Sequence, residues 1–381
     1  MRFVLFCHSL VSDWNHGNAH FLRGIVTELQ AGGHEVRVYE PRDAWSVAQL
    51  LREAGPAAIA QFRQTYPGLH STRYRRDSLD LDEALDGADV VVVHEWNDHS
   101  LVRRIGRRRA RGARFVLLFH DTHHRSVSDP YAMAAYDIDA YDGVLAFGEV
   151  IRDRYLRAGW ARRAWTWHEA ADTRVFRPVE QPEEGDVVWI GNWGDDERSE
   201  EIRSFLIEPV RELRLRARIH GVRYPESAQR ALRETGIDYG GWLPNFRAPD
   251  VFGRFRATVH IPRRPYVERL PGIPTIRVFE ALACGIPLIS VWWEDREGLF
   301  TTGRDYLVAR TPDDMNTHLR NLLSDRDLAQ ELSSHGFRTV NARHTCRHRV
   351  DELLGIVRGI GADPRGTTSQ HASRVMTACN S

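Results

Sequence analysis

The sequence predicts two α/β domains, each built on a parallel sheet. Three observations predict it. The chain has 381 residues, too many for one ordinary core and enough for two. Short apolar runs alternate with segments of helical spacing from the first residues onward, the pattern of βαβ units. That alternation breaks once, over residues 173–186 (TRVFRPVEQPEEGD), where two prolines and an acidic cluster read as a linker, and then restarts. The expected division is a first domain over 1–178, a second over 179–360, and a disordered tail over 361–381, whose sequence has no periodicity.

Composition narrows the class. Hydrophobic residues make up 42% and charged residues 27%, as in a soluble globular chain. The balance of 52 basic against 52 acidic residues argues against a protein that coats nucleic acid. Every basic residue is arginine, which excludes a Schiff-base or P-loop lysine. The four cysteines (Cys7, Cys284, Cys346 and Cys379) have no paired spacing, so no disulfide framework is expected. No run approaches the roughly 18 apolar residues of a membrane span, and the N-terminus turns polar too soon for a signal peptide, so a cytoplasmic protein is expected.

The elements follow in order. Residues 2–7 are apolar throughout after Arg2, as a strand buried on both faces requires. After a polar loop at 9–18, Phe21, Leu22, Ile25, Val26 and Leu29 give residues 19–31 a helical stripe, closed by Gly32 and Gly33. Residues 35–39 form the next strand. Residues 41–80 are expected to hold helices that the pattern does not place. Strands follow at 89–93, 114–119 and 143–147, helices at 101–111 and 149–158, and an edge strand at 164–167. In the second domain strands are expected at 186–190, 217–219, 257–261 and 287–291, with helices at 199–206 and 274–284. Two or three more helices are expected over 312–357. Residues 220–245 are not placed.

Ligands of open parallel sheets bind beyond the carboxyl ends of the strands. Here those ends carry His8-Ser9, His94-Glu95-Trp96-Asn97, His120-Asp121-Thr122-His123-His124, Gly148-Glu149 and His168-Glu169. Polar strand ends are ordinary in single cases, but five converging ends suggest a site. His120 with His123 or His124 has a zinc-like spacing, yet no third ligand is recognisable, and no metal is expected. In the second domain Gly191-Asn192-Trp193-Gly194 ends a strand, where glycine lets a ligand approach the backbone, although tight turns use the same residues. The segment 271–290 (PGIPTIRVFEALACGIPLIS) is stronger. Pro274 and Gly285 bound one short helix whose first-turn N–H groups form an anion site. Arg277 and Glu280 share a face of that helix, either as a ligand-binding pair or as an ordinary intrahelical ion pair.

TIRVFEALACGIPLIS resembles the donor-sugar helix of GT-B glycosyltransferases. WNHGNAHFLRGIVTELQAGGHEVRVYEP resembles the first βαβ unit of that fold, ADTRVFRP the segment leading into its second domain, and ARHTCRHRVDELL its C-terminal helices. The subgroup it most resembles is the bacterial CgeB-like (spore-maturation-protein-like) enzymes, and the resemblance spans residues 1–358. It implies two Rossmann-like domains facing a central cleft and a metal-independent transfer of a sugar from a nucleotide-sugar donor, with no cofactor. The acceptor would be a small molecule or a cell-envelope component.

Carried onto this sequence, the resemblance has Glu280 bind the ribose and the helix start at Thr275, Ile276 and Arg277 meet the diphosphate. Gly191, Asn192 and Trp193 would lie under the donor. Asp13 to His20 would flank the acceptor, and His120 and Asp121 would face the sugar. With no lysine, Arg277, Arg263 and Arg264 are the candidate cations. One departure stands out: the second acid of the family's Glu-x₇-Glu motif falls on Gly272, which leaves the stereochemical course open. His16 or His20 would be the base of an inverting enzyme. A nucleotide-sugar epimerase and a non-catalytic nucleotide-sugar-binding protein are the alternatives on the same fold. Finally, seven arginines from Arg103 to Arg114 form a basic helix, read either as a solvated face or as a peripheral membrane contact.

Overall fold

The structure, a computed structural model, describes residues 1–362. The first sheet has seven strands: β1 (Arg2–Phe6), β2 (Glu35–Pro41), β3 (Thr72–Tyr74), β4 (Val90–His94), β5 (Val116–Asp121), β6 (Gly143–Ala146) and β7 (Ala164–Thr166). The second has six: β8 (Gly185–Ile190), β9 (Ala217–His220), β10 (Asp238–Tyr239), β11 (Phe255–His260), β12 (Leu288–Val291) and β13 (Leu307–Ala309). The spatial orders are β3-β2-β1-β4-β5-β6-β7 and β10-β9-β8-β11-β12-β13, and the pairings are parallel. Strand order reverses between β1 and β4 in the first sheet and between β8 and β11 in the second. Those two switch points open the crevice in which a ligand of such a sheet binds.

The central strands are apolar throughout because helices cover both faces: Val90 to Val93 are all buried, as are Val187 to Ile190. The helix Asn18–Ala31 buries Phe21, Leu22, Ile25 and Val26 against the first sheet. Residues 41–80 resolve into the helix Trp45–Thr65, broken at Gly55 (φ +69°) ahead of Pro56, and the short strand β3. The break explains the weak periodicity, since the two halves present different faces. Residues 220–245 form the helix Glu226–Thr235 and β10.

One boundary differs from expectation. The sequence pattern runs the second domain to residue 360, but the last helix, Cys346–Ala362, packs on the first. Its stripe Cys346, Val350, Leu353 and Val357 enters the core with Phe21, Leu22 and Ile25. Gly24 makes the approach possible, because a Cβ there would lie 2.3 Å from the Cys346 Sγ. The expected tail lies, from residue 363, outside the described residues. The basic helix His99–Ala110 has much of its charge answered within its own domain. Arg103 pairs with Asp137, Arg108 with Asp82 and Arg109 with Asp142, while Arg104 donates to the carbonyls of Arg76 and Leu79. Among the described residues no helix is long and apolar enough to cross a membrane.

Candidate active site

Between the two sheets lies a cavity of about 940 Å³, walled by loops from the carboxyl ends of both sets of strands. On the second-domain side its central feature is the start of the helix Thr275–Ala283, where Thr275, Ile276 and Arg277 reach the cavity. Thr275 has φ +51°, a costly conformation for a β-branched residue and one that needs support from its surroundings. His260 at the end of β11 gives that support. Ser290 donates its hydroxyl proton to the Val291 carbonyl at 2.8 Å, so His260 Nδ1–H donates to Ser290 Oγ at 2.9 Å. His260 Nε2 is then left to accept the Thr275 hydroxyl at 3.2 Å. Burial, with Arg198 and Arg277 nearby, pushes this imidazole down to about 3, which keeps it neutral as that pattern requires.

Three arginines gather at this helix start. Arg277 pairs with Glu280, and Arg263 with Glu197 at 2.5 Å. Arg198 has no such partner. Its two terminal nitrogens donate to the carbonyls of Ile261 (3.0 Å) and Asn192 (2.5 Å), its guanidinium lies 5.2 Å from the Trp189 ring, and its Nε is sealed without a partner. Burial, with Arg263 and Arg277 alongside, pushes its pKa down from the ordinary arginine value. Carbonyl contacts fix its position without cancelling its charge, so an anion in the cleft would meet both Arg198 and the open helix end.

Glu169, from the loop after β7, also reaches the cavity beside this helix. Its Oε1 accepts from Asn18 Nδ2 at 3.3 Å, and its carboxyl lies beside the Ile276 backbone N–H. Burial, aided by the Glu280 charge, pushes it up to about 8, so at neutral pH it is a neutral acid.

The residues expected to form the site divide into two groups. Gly191, Asn192, Arg263, Thr275, Ile276, Arg277 and His16 line the cavity. His16 is buried, its Nε2 has no partner, and burial, with His8 and the Arg23 charge nearby, pushes its pKa well down. The ring is neutral and turns a free nitrogen to the cleft, but its lowered pKa makes it a weak base there. Asn192 ties the two domains by donating to Asn15 Oδ1 at 2.5 Å.

The other group sits elsewhere. Glu280 is 0% exposed and lies beneath the cleft. Its carboxylate is held by Arg277 and by His20, whose Nδ1–H donates to Oε1 at 2.7 Å. His20 Nε2 accepts from the Asp172 backbone N–H at 2.8 Å and its ring stacks on Phe176, so both nitrogens are occupied and it fastens one domain to the other. His120 is buried at the end of β5, edge-on to His94 and Trp167. Asp121 accepts from the Tyr155 hydroxyl at 2.9 Å and from the His123 N–H at 3.1 Å, and it holds the loop that carries Thr122 and His123 to the cavity. Trp193 turns outward onto Tyr224, and Arg264 pairs with Glu201. His120 stays out of the cleft because its ring packs against Phe21 and Trp167 in the core on one face of the sheet.

Arg198 and Glu169 were missed. Arg198 is masked by its acidic run, DDERSEE, which reads as a solvated face; Glu169 was seen only as a polar strand end. Among the described residues no three His, Cys, Asp or Glu side chains are grouped as a metal ion requires.

With this geometry in view, the comparisons converge. A family model described as glycosyl transferase-like matches residues 198–355. Sucrose-phosphate synthase from Thermosynechococcus elongatus superposes with a TM-score of 0.65 at 14% identity, over 95% of this chain and 99% of that one. Anabaena HepE in complex with UDP and glucose gives 0.66 at 12%, over 94% and 100%. An α-glucosyltransferase in complex with UDP gives 0.66 at 11%, over 94% and 100%. The fold is therefore that of the GT-B glycosyltransferases, two parallel-sheet domains facing a cleft. No curated protein sequence matches the chain.

Proposed function

We propose that the protein is a glycosyltransferase that moves a sugar from a nucleoside-diphosphate donor to an acceptor hydroxyl. The observation that carries this reading is the uncancelled charge of Arg198 beside the open start of the Thr275 helix, in the cleft between the two switch points. In the reaction the bond from the anomeric carbon to the diphosphate oxygen breaks and its electron pair leaves with the diphosphate. Arg198, Arg277 and the helix N–H groups meet the charge that develops there. A bond forms from the acceptor oxygen to the anomeric carbon, and the hydroxyl proton passes to His16 Nε2. In this reading the arginines and the helix dipole supply the electrostatic stabilisation, and no metal is needed. Within the class we place the chain beside the CgeB-like enzymes, on the segments quoted above. UDP is the first nucleotide to test, since HepE and the α-glucosyltransferase hold it.

The test is a thermal-shift screen against UDP, GDP, ADP and dTDP, each with and without Mg²⁺. Saturation at 100 times the dissociation constant adds about 2.7 kcal/mol of stability, a shift that is easily seen. One nucleotide hit independent of Mg²⁺ supports the reading; no hit with any of the four contradicts it.

A further inference from the structure

The first-domain wall of the cleft is built differently from the donor side. Trp14, Trp45 and Trp96 stand along it, with Trp45 6.2 Å from Trp14 and 6.4 Å from Trp96 between ring centroids. Trp45 and Trp96 also line a second cavity of about 230 Å³, so these two indoles form a partition between the cleft and a side pocket. Trp45 is 38% exposed, an unusual amount of open indole for a residue seated within a site. At the base of the side pocket lies His8, which is 4% exposed and whose Nε2 has no partner. Burial, with Arg76 nearby, pushes His8 down to about 4, leaving a neutral ring. His8 is 5.2 Å from His16, so the side pocket adjoins the point where an acceptor hydroxyl would be deprotonated.

Charge decides what the pocket takes. Its Arg76 is shared between Asp43 at 3.3 Å and Asp98 at 3.4 Å, and its Arg104 is spent on two backbone carbonyls. Arg76 and Arg104 are balanced by Asp43 and Asp98 in the same lining, so the pocket carries no net charge and favours a neutral ligand. It offers flat indole surface, carboxylate acceptors, guanidinium donors and one buried imidazole nitrogen without a partner. A molecule with an apolar face and a rim of hydroxyls satisfies all of these at once: its C–H face lies on indole while its rim both donates and accepts.

We propose that the acceptor is itself a saccharide of at least two rings, the reacting ring beside His16 and the next ring in the pocket behind Trp45 and Trp96. This rests on the glycosyltransferase reading and is tested separately from it. Saturation-transfer NMR on the UDP-mixed protein, with glucose, maltose, cellobiose and lactose as millimolar probes, reads the contact directly and needs no knowledge of the donor sugar. The expected result is transfer to at least one disaccharide, stronger than to glucose, with about tenfold weaker binding in Trp45→Ala and unchanged UDP binding. Asp43→Asn, a surface substitution that removes one acceptor of the pocket, should weaken the same disaccharide. UDP binding without disaccharide contact, or disaccharide contact that both variants leave intact, overturns the proposal while the donor reading stands. Failure of UDP and the other three nucleotides to bind removes the donor reading on which it rests.

Discussion

Glu169 has an environment that its sequence context conceals. It is a carboxyl sealed between Asn18 and the start of the Thr275 helix, with Glu280 close enough to disfavour a second negative charge. A charged carboxylate here would compete with a diphosphate for the helix start, whereas a neutral acid can donate a hydrogen bond to it. The stability consequence has a definite sign. Between its unfolded value near 4.5 and its folded value of about 8, the folded chain holds a proton that the unfolded chain has released. Stability from this group therefore falls as pH rises through that window, by up to about 1.4 kcal/mol per unit. Glu169→Gln should flatten that decline. Denaturation midpoints of the two proteins measured from pH 5 to about 8 check it, and parallel curves would show that Glu169 is ionised throughout. Legibility at this scale was partial. Residues at strand ends and at the helix start, such as Thr275, Ile276, Arg277 and Gly191, are set by local backbone geometry and could be read. The seats of Glu280 and His20 depend on contact between residues 260 positions apart, which no local pattern encodes.

At the scale of elements, the helix pair Asn18–Ala31 and Cys346–Ala362 joins opposite ends of the chain. The stripe of the last helix was visible in its spacing, but its partner was not, because Gly24 by itself reads only as a weak point in a helix. Two effects oppose each other at Gly24. Alanine would raise helix propensity by about 1 kcal/mol. It would also place a Cβ 2.3 Å from Cys346 Sγ and 2.9 Å from Asp172 Cβ, and overpacking of this kind costs about 1–3 kcal/mol. The clash should win, so Gly24→Ala lowers the urea midpoint; a raised midpoint would mean that the two helices do not pack this closely. The broken helix Trp45–Thr65 shows why its region resisted reading. Gly55 and Pro56 divide it into two short stretches, each too brief to establish a period.

For the whole molecule, the two domains meet through buried polar links. Asp13 accepts from Arg23 at 2.9 Å, from the Asn245 N–H at 3.1 Å and from Trp242 Nε1 at 3.1 Å, so one first-domain carboxylate grips two second-domain residues. Arg23 is fully buried, with the Phe62 ring at 4.8 Å, and depends on that charge. Asp13→Ala leaves the guanidinium buried without its partner, at a cost of about 3–5 kcal/mol, and frees one domain from the other. Calorimetry should then show two transitions in place of one; a single, unshifted transition would place the coupling elsewhere. The division of the molecule is functional as well. The second domain presents uncancelled positive charge and the first presents tryptophans and neutral histidines, so the cleft joins an anion-binding half to a half suited to a neutral molecule. The most direct test compares UDP with uridine by titration calorimetry, in the wild type and in Arg198→Ala. The account predicts that UDP binds well and uridine weakly, and that the substitution weakens UDP by about 1.5–3 kcal/mol, toward uridine, while leaving uridine unchanged. Equal affinity for UDP and uridine, or UDP binding that survives the loss of Arg198 intact, would contradict it.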